Sequence, residues 1–453
     1  MPALLGTAVG FLAGLVPGLH MNNIAALVTA YYGSALALFG VFSEPLVQGN
    51  AGLLVSCFIA SALMSHQFSE AIASTYLGIP AEDAISVLPA HMLSRAGLGR
   101  TAVLASAEGS LAGVVLSVIL FAPVCILMGA PVFLYDVISQ FMGVLVLSLS
   151  IALVASEGRT VPRNASSRSA RFRSMALGLL LFLAAGALGT IVLKSNFYAC
   201  VIPDVPWRDI GYVGRSALLL PLFAGLFGVP TLLFSLGQRR SVRPTMNATD
   251  EVPYQSGAAD KAIAFLGGVM VGWLPGMTPG CATALCLRNT GETAVDCSIK
   301  DASRFVWLYS AITSCGAVFA VGAFFVISRE RSGSMEAISQ FLPFEDGPSV
   351  DTLLGPAVAL LLSILLAALL SYSLLVRFGR FIERHRDFMS SKKVAIACLA
   401  LICSLSVALT GTRGSLVLMC AVCLGLLAPL LRVRRILLMG SLLVPIMLSY
   451  FLE

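Results

Sequence analysis

Apolar residues run through this chain in long blocks, near 3–17, 22–40, 50–64, 101–128, 137–155, 174–193, 215–236, 262–275, 304–327, 352–376, 394–410, 414–431 and 435–451, with short polar stretches between them. A helix that crosses a bilayer needs roughly 20 mostly apolar residues. The pattern therefore predicts an all-α, polytopic membrane protein with about 10–13 hydrophobic helical segments. Two of the blocks are interrupted in the same way. Gly10-Phe-Leu-Ala-Gly14-Leu-Val-Pro17-Gly18 recurs as Gly268-Val-Met-Val-Gly272-Trp-Leu-Pro275-Gly276. Proline removes a backbone donor and collides with the preceding turn, and glycine releases the backbone from right-handed conformations. In hydrocarbon such a break persists only where it is buried in protein or lines a polar cavity. A matched pair, one in each half of the chain, points to the binding site of a secondary transporter.

The polar stretches are uneven in charge. Arg159, Arg163, Arg168, Arg171 and Arg173 fill one, Arg239, Arg240 and Arg243 another, the segment from Arg377 to Lys393 a third, and Arg432, Arg434 and Arg435 a fourth. Placing these in the cytoplasm follows the positive-inside rule. The crossings then alternate if the 262–287 region enters and leaves from the cytoplasmic side and the 3–33 region from the outer side. That arrangement is two inverted repeats, each with a Pro-Gly-broken re-entrant hairpin. Residues 1–236 form the N-terminal membrane repeat, 237–261 a cytoplasmic linker and 262–453 the C-terminal membrane repeat. Arg329 and Arg331 then fall on the outer side, against the rule.

Composition narrows the class. Of 453 residues 58% are hydrophobic and 11% charged, against roughly 25% charged in a soluble domain, and the mean hydropathy is +0.91. No polar stretch is long enough for a separate soluble enzyme domain. The net charge of +6 resides in short loops and does not call for nucleic acid. The eleven cysteines lack metal-site spacing and read as small packing residues, although Cys281 and Cys286 follow the second break. The N-terminus lacks the charged region and cleavage site of a signal peptide.

The candidate chemistry gathers at the breaks. His20, Asn22 and Asn23 follow Pro17-Gly18, and Thr278 and Gly280 follow Pro275-Gly276. Helix N-termini carry free amides and partial positive charge, so each break offers a compact anion site. The expected substrate-binding set is Pro17, Gly18, His20, Asn22, Asn23, Pro275, Gly276, Thr278 and Gly280, with plain helix capping as the bland alternative. His66 and Glu70 stand four residues apart inside an apolar block, on one face if the block is helical. Ionisable groups at membrane depth commonly serve ion or proton pathways. His66, Glu70, Glu82 and Asp83 are the expected handlers of a coupling ion, Na⁺ or H⁺, although Glu82 and Asp83 also suit a helix start at an interface. Glu108 is a further buried-acid candidate. His91, Arg95 and Arg100 read equally as interfacial anchors.

Pro17 to Asn22, the Gly78-Ile79-Pro80-Ala81-Glu82 stretch continuing to His91, His66 to Glu70, Leu98-Gly99-Arg100 and Glu108-Gly109-Ser110 resemble the TctA family, the large permease subunit of tripartite tricarboxylate transporters. The likeness is to its shorter, mostly archaeal branch. It spans the chain in organisation, with specific motifs in 10–110 and 264–335. In the second half Arg331-Ser332-Gly333 matches that branch, but Ser310 to Ser314 stands where it has an asparagine-containing patch. The resemblance implies an ion-coupled permease for a di- or tricarboxylate, working with a solute-binding protein and a small membrane subunit, with no cofactor beyond the coupling ion.

Two other readings are open on the residues. Polyprenyl-phosphate transporters also show duplicated Pro-Gly breaks, and a lipid phosphate suits paired helix N-termini equally well. An intramembrane metal hydrolase would use His20, His66 and Glu70, but no H-E-x-x-H lies on one helix. The expectation is therefore no catalytic residue and no bound metal, a bilayer setting in the cell membrane, and no nucleic-acid partner; a homodimer is left open.

Overall fold

The computed structural model describes residues 1–16, 19, 21–30, 32–40, 51–77, 87–158, 168–194, 215–237, 254–286, 298–342, 350–384 and 392–452. Among these residues all regular structure is helical. The first half runs α1 (Pro2–Gly14), α2 (Met21–Ala30), α3 (Tyr32–Gly40), α4 (Ala51–Leu77), α5 (Val87–Arg95), α6 (Gly99–Ile119), α7 (Phe121–Met128), α8 (Leu134–Ser139), α9 (Met142–Glu157), α10 (Arg168–Lys194), α11 (Arg215–Phe223) and α12 (Val229–Gly237), the last two joined by one wide turn over Ala224–Gly228. The second half runs α13 (Ala258–Trp273), α14 (Pro279–Cys286), α15 (Ile299–Ile327), α16 (Gly333–Phe341), α17 (Val350–Arg384), α18 (Lys392–Leu430) and α19 (Gly440–Leu452), with a short tight helix over Arg435–Met439. Seven helices among the described residues are long and apolar enough to cross a membrane, and Pro2–Gly14, Met142–Glu157 and Leu218–Phe234 are shorter apolar helices. The chain is a polytopic membrane protein.

The elements depart from the apolar blocks where local chemistry outweighs hydropathy. The 101–128 block splits after Ile119, because Pro123 lacks the N–H that a continuous helix would use. The 394–410 and 414–431 blocks join as α18, bent at Gly411, whose φ of 65° suits glycine alone. Helix α4 extends past its apolar block through His66 and Glu70. Ser61 and Ser69 return their hydroxyls to Phe58 O and His66 O, at 3.0 and 3.2 Å, so the polar turns stay satisfied inside the helix. Residues 238–253 of the expected linker lie outside the described residues, and its last residues are already helical in α13.

The two halves repeat one packing scheme. Helix α1 lies on α4 so closely that a Cβ at Gly10 would stand 2.0 Å from the Ala62 carbonyl oxygen. Helix α13 lies on α15 in the same way, and a Cβ at Gly272 would stand 2.4 Å from that of Phe319. The small residues of each G-x3-G pattern are thus contact faces that let two backbones meet. The halves then cross over. Helix α6 of the first half packs on α15 of the second, with Gly109 and Gly113 against the Trp307 and Ala311 carbonyls, while α17 of the second packs on α4 of the first. Helix α10 packs on α19, and α18 on the α11–α12 pair. Among the described residues each buried cluster draws on both halves.

Burial follows this scheme. The most apolar stretch of α15 is 78% buried and that of α10 only 39%, so α15 is central and α10 peripheral. Exposed Leu180, Leu362 and Met419 belong to an apolar outer surface suited to lipid. Charges tie the ends together. Glu157, fully buried, accepts from Arg434 Nε at 2.7 Å and from its backbone N–H at 3.1 Å, and Arg435 donates to Thr231. At the polar start of α13, Asp260 accepts from Arg304 at 2.8 Å and Tyr254 at 2.6 Å. Burial opposes the charge on Asp260, but these donors, the Gly257 N–H and the guanidinium outweigh it and hold the carboxyl below its usual range.

Candidate functional site

Helix α4 carries the ionisable centre. His66 is 5% exposed, and its Nε2 lies 2.8 Å from the carbonyl oxygen of Leu19, in the linker of the first break. Its Nδ1 lies 3.5 Å from Glu70 Oε2 one turn further along. The predicted one-face arrangement of this pair therefore holds. Gly14, at the end of α1, abuts the same turn: a Cβ there would meet Ser69 Oγ at 2.1 Å and His66 O at 2.6 Å. Ser65 adds two more ties, donating to Thr7 O at 2.7 Å and meeting Ser371 Oγ of α17 at 2.8 Å. The first break and the ionisable pair form one structural unit.

Glu70 also lines a cleft between α4, α6 and α15. The other polar walls are Gln67, Ser74 and Thr75 from α4, Ser106 and Ser110 from α6, and Tyr309, Ser310 and Thr313 from α15. Its empty volume is about 440 Å³, counting the part open to solvent. Ser106 and Ser310 hydrogen-bond across it at 2.8 Å. Gln67 Oε1 is buried without a hydrogen-bond partner among the described residues. Among the described residues no Lys or Arg lines this cleft. Its hydroxyls can accept as well as donate and its one carboxyl repels an anion, so the cleft suits a proton or a cation better than a carboxylate substrate.

Backbone amide donors lie at the breaks. Helix α13 ends at Trp273, Leu274 is extended, and Gly276 turns the chain with φ of 71°. Thr278 Oγ1 then accepts from Cys281 N at 3.2 Å and caps α14, which starts on Pro279. Arg331 caps the other side of the break, donating to Trp273 O at 2.6 Å and to Tyr135 OH at 3.0 Å. At the first break, Asn22 Oδ1 accepts from both the backbone N–H and the hydroxyl of Ser334, each at 3.0 Å. Any contact of Asn22 with a ligand must then come from its NH₂, a donor.

One strap consequently touches both breaks. Arg331 binds the end of α13, Ser332 is extended (φ −151°, ψ 161°), and Gly333 and Ser334 lie against Asn22 at the start of α2. Three residue steps of extended chain span at most roughly 10 Å. The strap thus links the end of α13 to the start of α2, while His66 joins the first break through Leu19.

Among the expected residues, Asn22, His66 and Glu70 lie about the first break, and Pro275, Gly276, Thr278 and Gly280 lie at the second. Pro17, Gly18, His20, Glu82 and Asp83 lie outside the described residues, and Asn23 is described only as a backbone position in α2. Glu108 is not among the residues lining the cleft and is only partly buried. Cys281 is buried as a packing residue. No group of three His, Cys, Asp or Glu able to hold a metal occurs among the described residues. Sequence reasoning missed Arg331 and Ser334, and the hydroxyls of Ser106, Tyr309 and Ser310. Arg331 stood out as a charge on the wrong side of the membrane and as the first residue of the Arg331-Ser332-Gly333 match, and both were available signals; in the structure it caps the end of α13.

Comparison with known proteins agrees with this architecture. The chain is 33% identical over 118 residues to an uncharacterized protein of Methanocaldococcus jannaschii, covering 26% of this chain and 26% of that relative's length. No solved structure matches. The profile of a family of membrane transporters rather than enzymes matches residues 1–440. The chain belongs to the tripartite tricarboxylate transporter TctA family.

Proposed function

We propose that this protein is the ion-coupled permease that carries a di- or tricarboxylate across the cell membrane, working with a solute-binding protein and a small membrane subunit. The observation that carries this reading is the strap from Arg331 to Ser334, which ties the second helix break to the first, where the His66–Glu70 pair lies. Backbone donors at α2 and α14, with the Asn22 NH₂, would receive the substrate carboxylates. The His66–Glu70 pair and the hydroxyl-lined cleft would receive the coupling ion. The duplicated packing supports two halves that move against each other about a site they share, with opposite orientation in the membrane as the charge pattern suggests. A lipid-phosphate substrate has no support from the family match.

The test is uptake of labelled citrate by proteoliposomes holding the full chain and its partner subunits. Asn22→Ala combined with Asn23→Ala should leave the purified protein folded and lower uptake by about tenfold or more, the effect of roughly 1.4 kcal/mol at the site. Undiminished flux in the double variant would remove the breaks from the substrate path.

A further inference from the structure

The two breaks are held by different chemistry. At the first, Gly14 abuts the turn of His66, which reaches the Leu19 carbonyl and has Glu70 beside it. At the second, Gly272 abuts Phe319, with Ala323 four residues on. The last carbonyl of α13, on Trp273, is bound instead by the guanidinium of Arg331. A carboxyl attends the first break and a positive charge the second.

Arg331 is only partly engaged by that bond. Its Nη2 makes both contacts, to Trp273 O at 2.6 Å and to Tyr135 OH at 3.0 Å. Its Nε is buried without a hydrogen-bond partner among the described residues. Arg434 is paired with Glu157 and Arg304 with Asp260, but no described carboxylate stands within ion-pair reach of Arg331. The guanidinium lies 5.8 Å from the centre of the Tyr135 ring, and that ring lies 6.4 Å from the ring of Trp273. Trp273 is fully buried, and its Nε1 too has no partner among the described residues. Tyr135 accepts from Nη2 and so keeps its own hydrogen to donate. Arginine and indole nitrogens donate and cannot accept. Positive charge and unused donors therefore gather about the end of α13.

Resting on the transport reading, we infer that Arg331 is a substrate-binding residue, which takes one carboxylate of the di- or tricarboxylate at the second break. The guanidinium supplies the charge and Nε–H a charge-assisted hydrogen bond. A water could accept from Nε but would leave the charge unanswered. Nη2 keeps α13 capped throughout, so one nitrogen holds the helix and another holds the substrate. The strap sets Asn22 three residue steps from Arg331, at most roughly 10 Å of chain. A second carboxylate of the same molecule is thereby directed to the Asn22 NH₂ at the first break.

The test is calorimetric binding of citrate, and of citrate with one terminal carboxylate made an amide, to the purified full-length protein in lipid nanodiscs. The wild type should bind the amide about tenfold or more weakly than citrate, and Arg331→Gln should bind the two alike. Comparing the two ligands on each protein separates this contact from a general loss of structure. Arg331→Lys keeps a charge and a donor for the Trp273 carbonyl but lacks Nε–H. It should melt with the wild type and bind citrate about tenfold or more weakly, and it serves alone if Arg331→Gln does not fold. Variants that weaken both ligands equally would reduce Arg331 to a helix cap and overturn the inference, as would a wild type indifferent to the amide. A role toward lipid phosphate would overturn it too: phosphatidylglycerol would then stabilise the protein over phosphatidylcholine, Arg331→Gln would abolish that effect, and citrate binding would stay unchanged. Wild-type protein that neither binds nor takes up citrate counts against the transport reading itself. Wild-type uptake with unaltered binding by both variants counts against Arg331 alone.

Discussion

At the scale of single residues, the site is defined by what each polar atom is already engaged in. Thr278 uses its hydroxyl to cap α14, and Asn22 uses its carbonyl to hold Ser334. Both roles are structural, and the expectation of direct substrate contact is narrowed to backbone amides and the Asn22 NH₂. Asn22→Asp separates the two functions, because Asp keeps an acceptor for Ser334 but replaces the donor with a negative charge. The purified variant should melt close to the wild type while citrate uptake falls by about tenfold or more. A variant that melts early and transports in proportion to its folded fraction would make Asn22 a clamp and nothing more. His66 and Glu70 were legible from sequence because i, i+4 spacing inside an apolar block leaves little choice of face. The bond from His66 to Leu19 was not, since a backbone carbonyl leaves no trace in residue identity.

At the scale of helices, the G-x3-G pattern has two physical meanings along one stretch. Its glycines make the contact face of α1 on α4 and of α13 on α15, and in the second copy the helix ends at Trp273 and Gly276 turns the chain. The sequence reading anticipated the second break but not the face. Hydropathy reports which positions avoid water and says nothing about which backbone lies opposite. Gly10→Leu places a side chain where only a carbonyl oxygen 2.0 Å away now stands. The cost should be about 3 kcal/mol, the upper part of the range for overpacking, and be seen as early loss of monodisperse protein on heating in detergent. Unchanged thermal stability would mean that α1 does not lie on α4 as described. Blocks were also misjudged where one residue decides the element, as at Pro123 and Gly411.

At the scale of the whole molecule, the decisive feature is the exchange of partners between halves. Helix α6 depends on α15, α17 on α4, and the strap before α16 reaches from the second break to the first. Periodicity and charge gave the duplication and the membrane setting, but crossed pairing is a long-range property that no local pattern encodes. It explains why neither half reads as a self-sufficient domain, and it gives the transport reading its mechanical basis: a change at either break must pass through contacts shared by both. The most direct measurement is a disulfide between Asn22→Cys and Gly333→Cys in a background whose native cysteines are replaced. A Cβ on Gly333 would lie 3.1 Å from that of Asn22, within a few tenths of an ångström of the span a disulfide bridges. The account predicts rapid cross-linking that reductant reverses, with citrate uptake about tenfold or more below wild type even in the reduced form, because the Asn22 NH₂ is gone. Failure to cross-link, or a reduced form that transports at the wild-type rate, would contradict it.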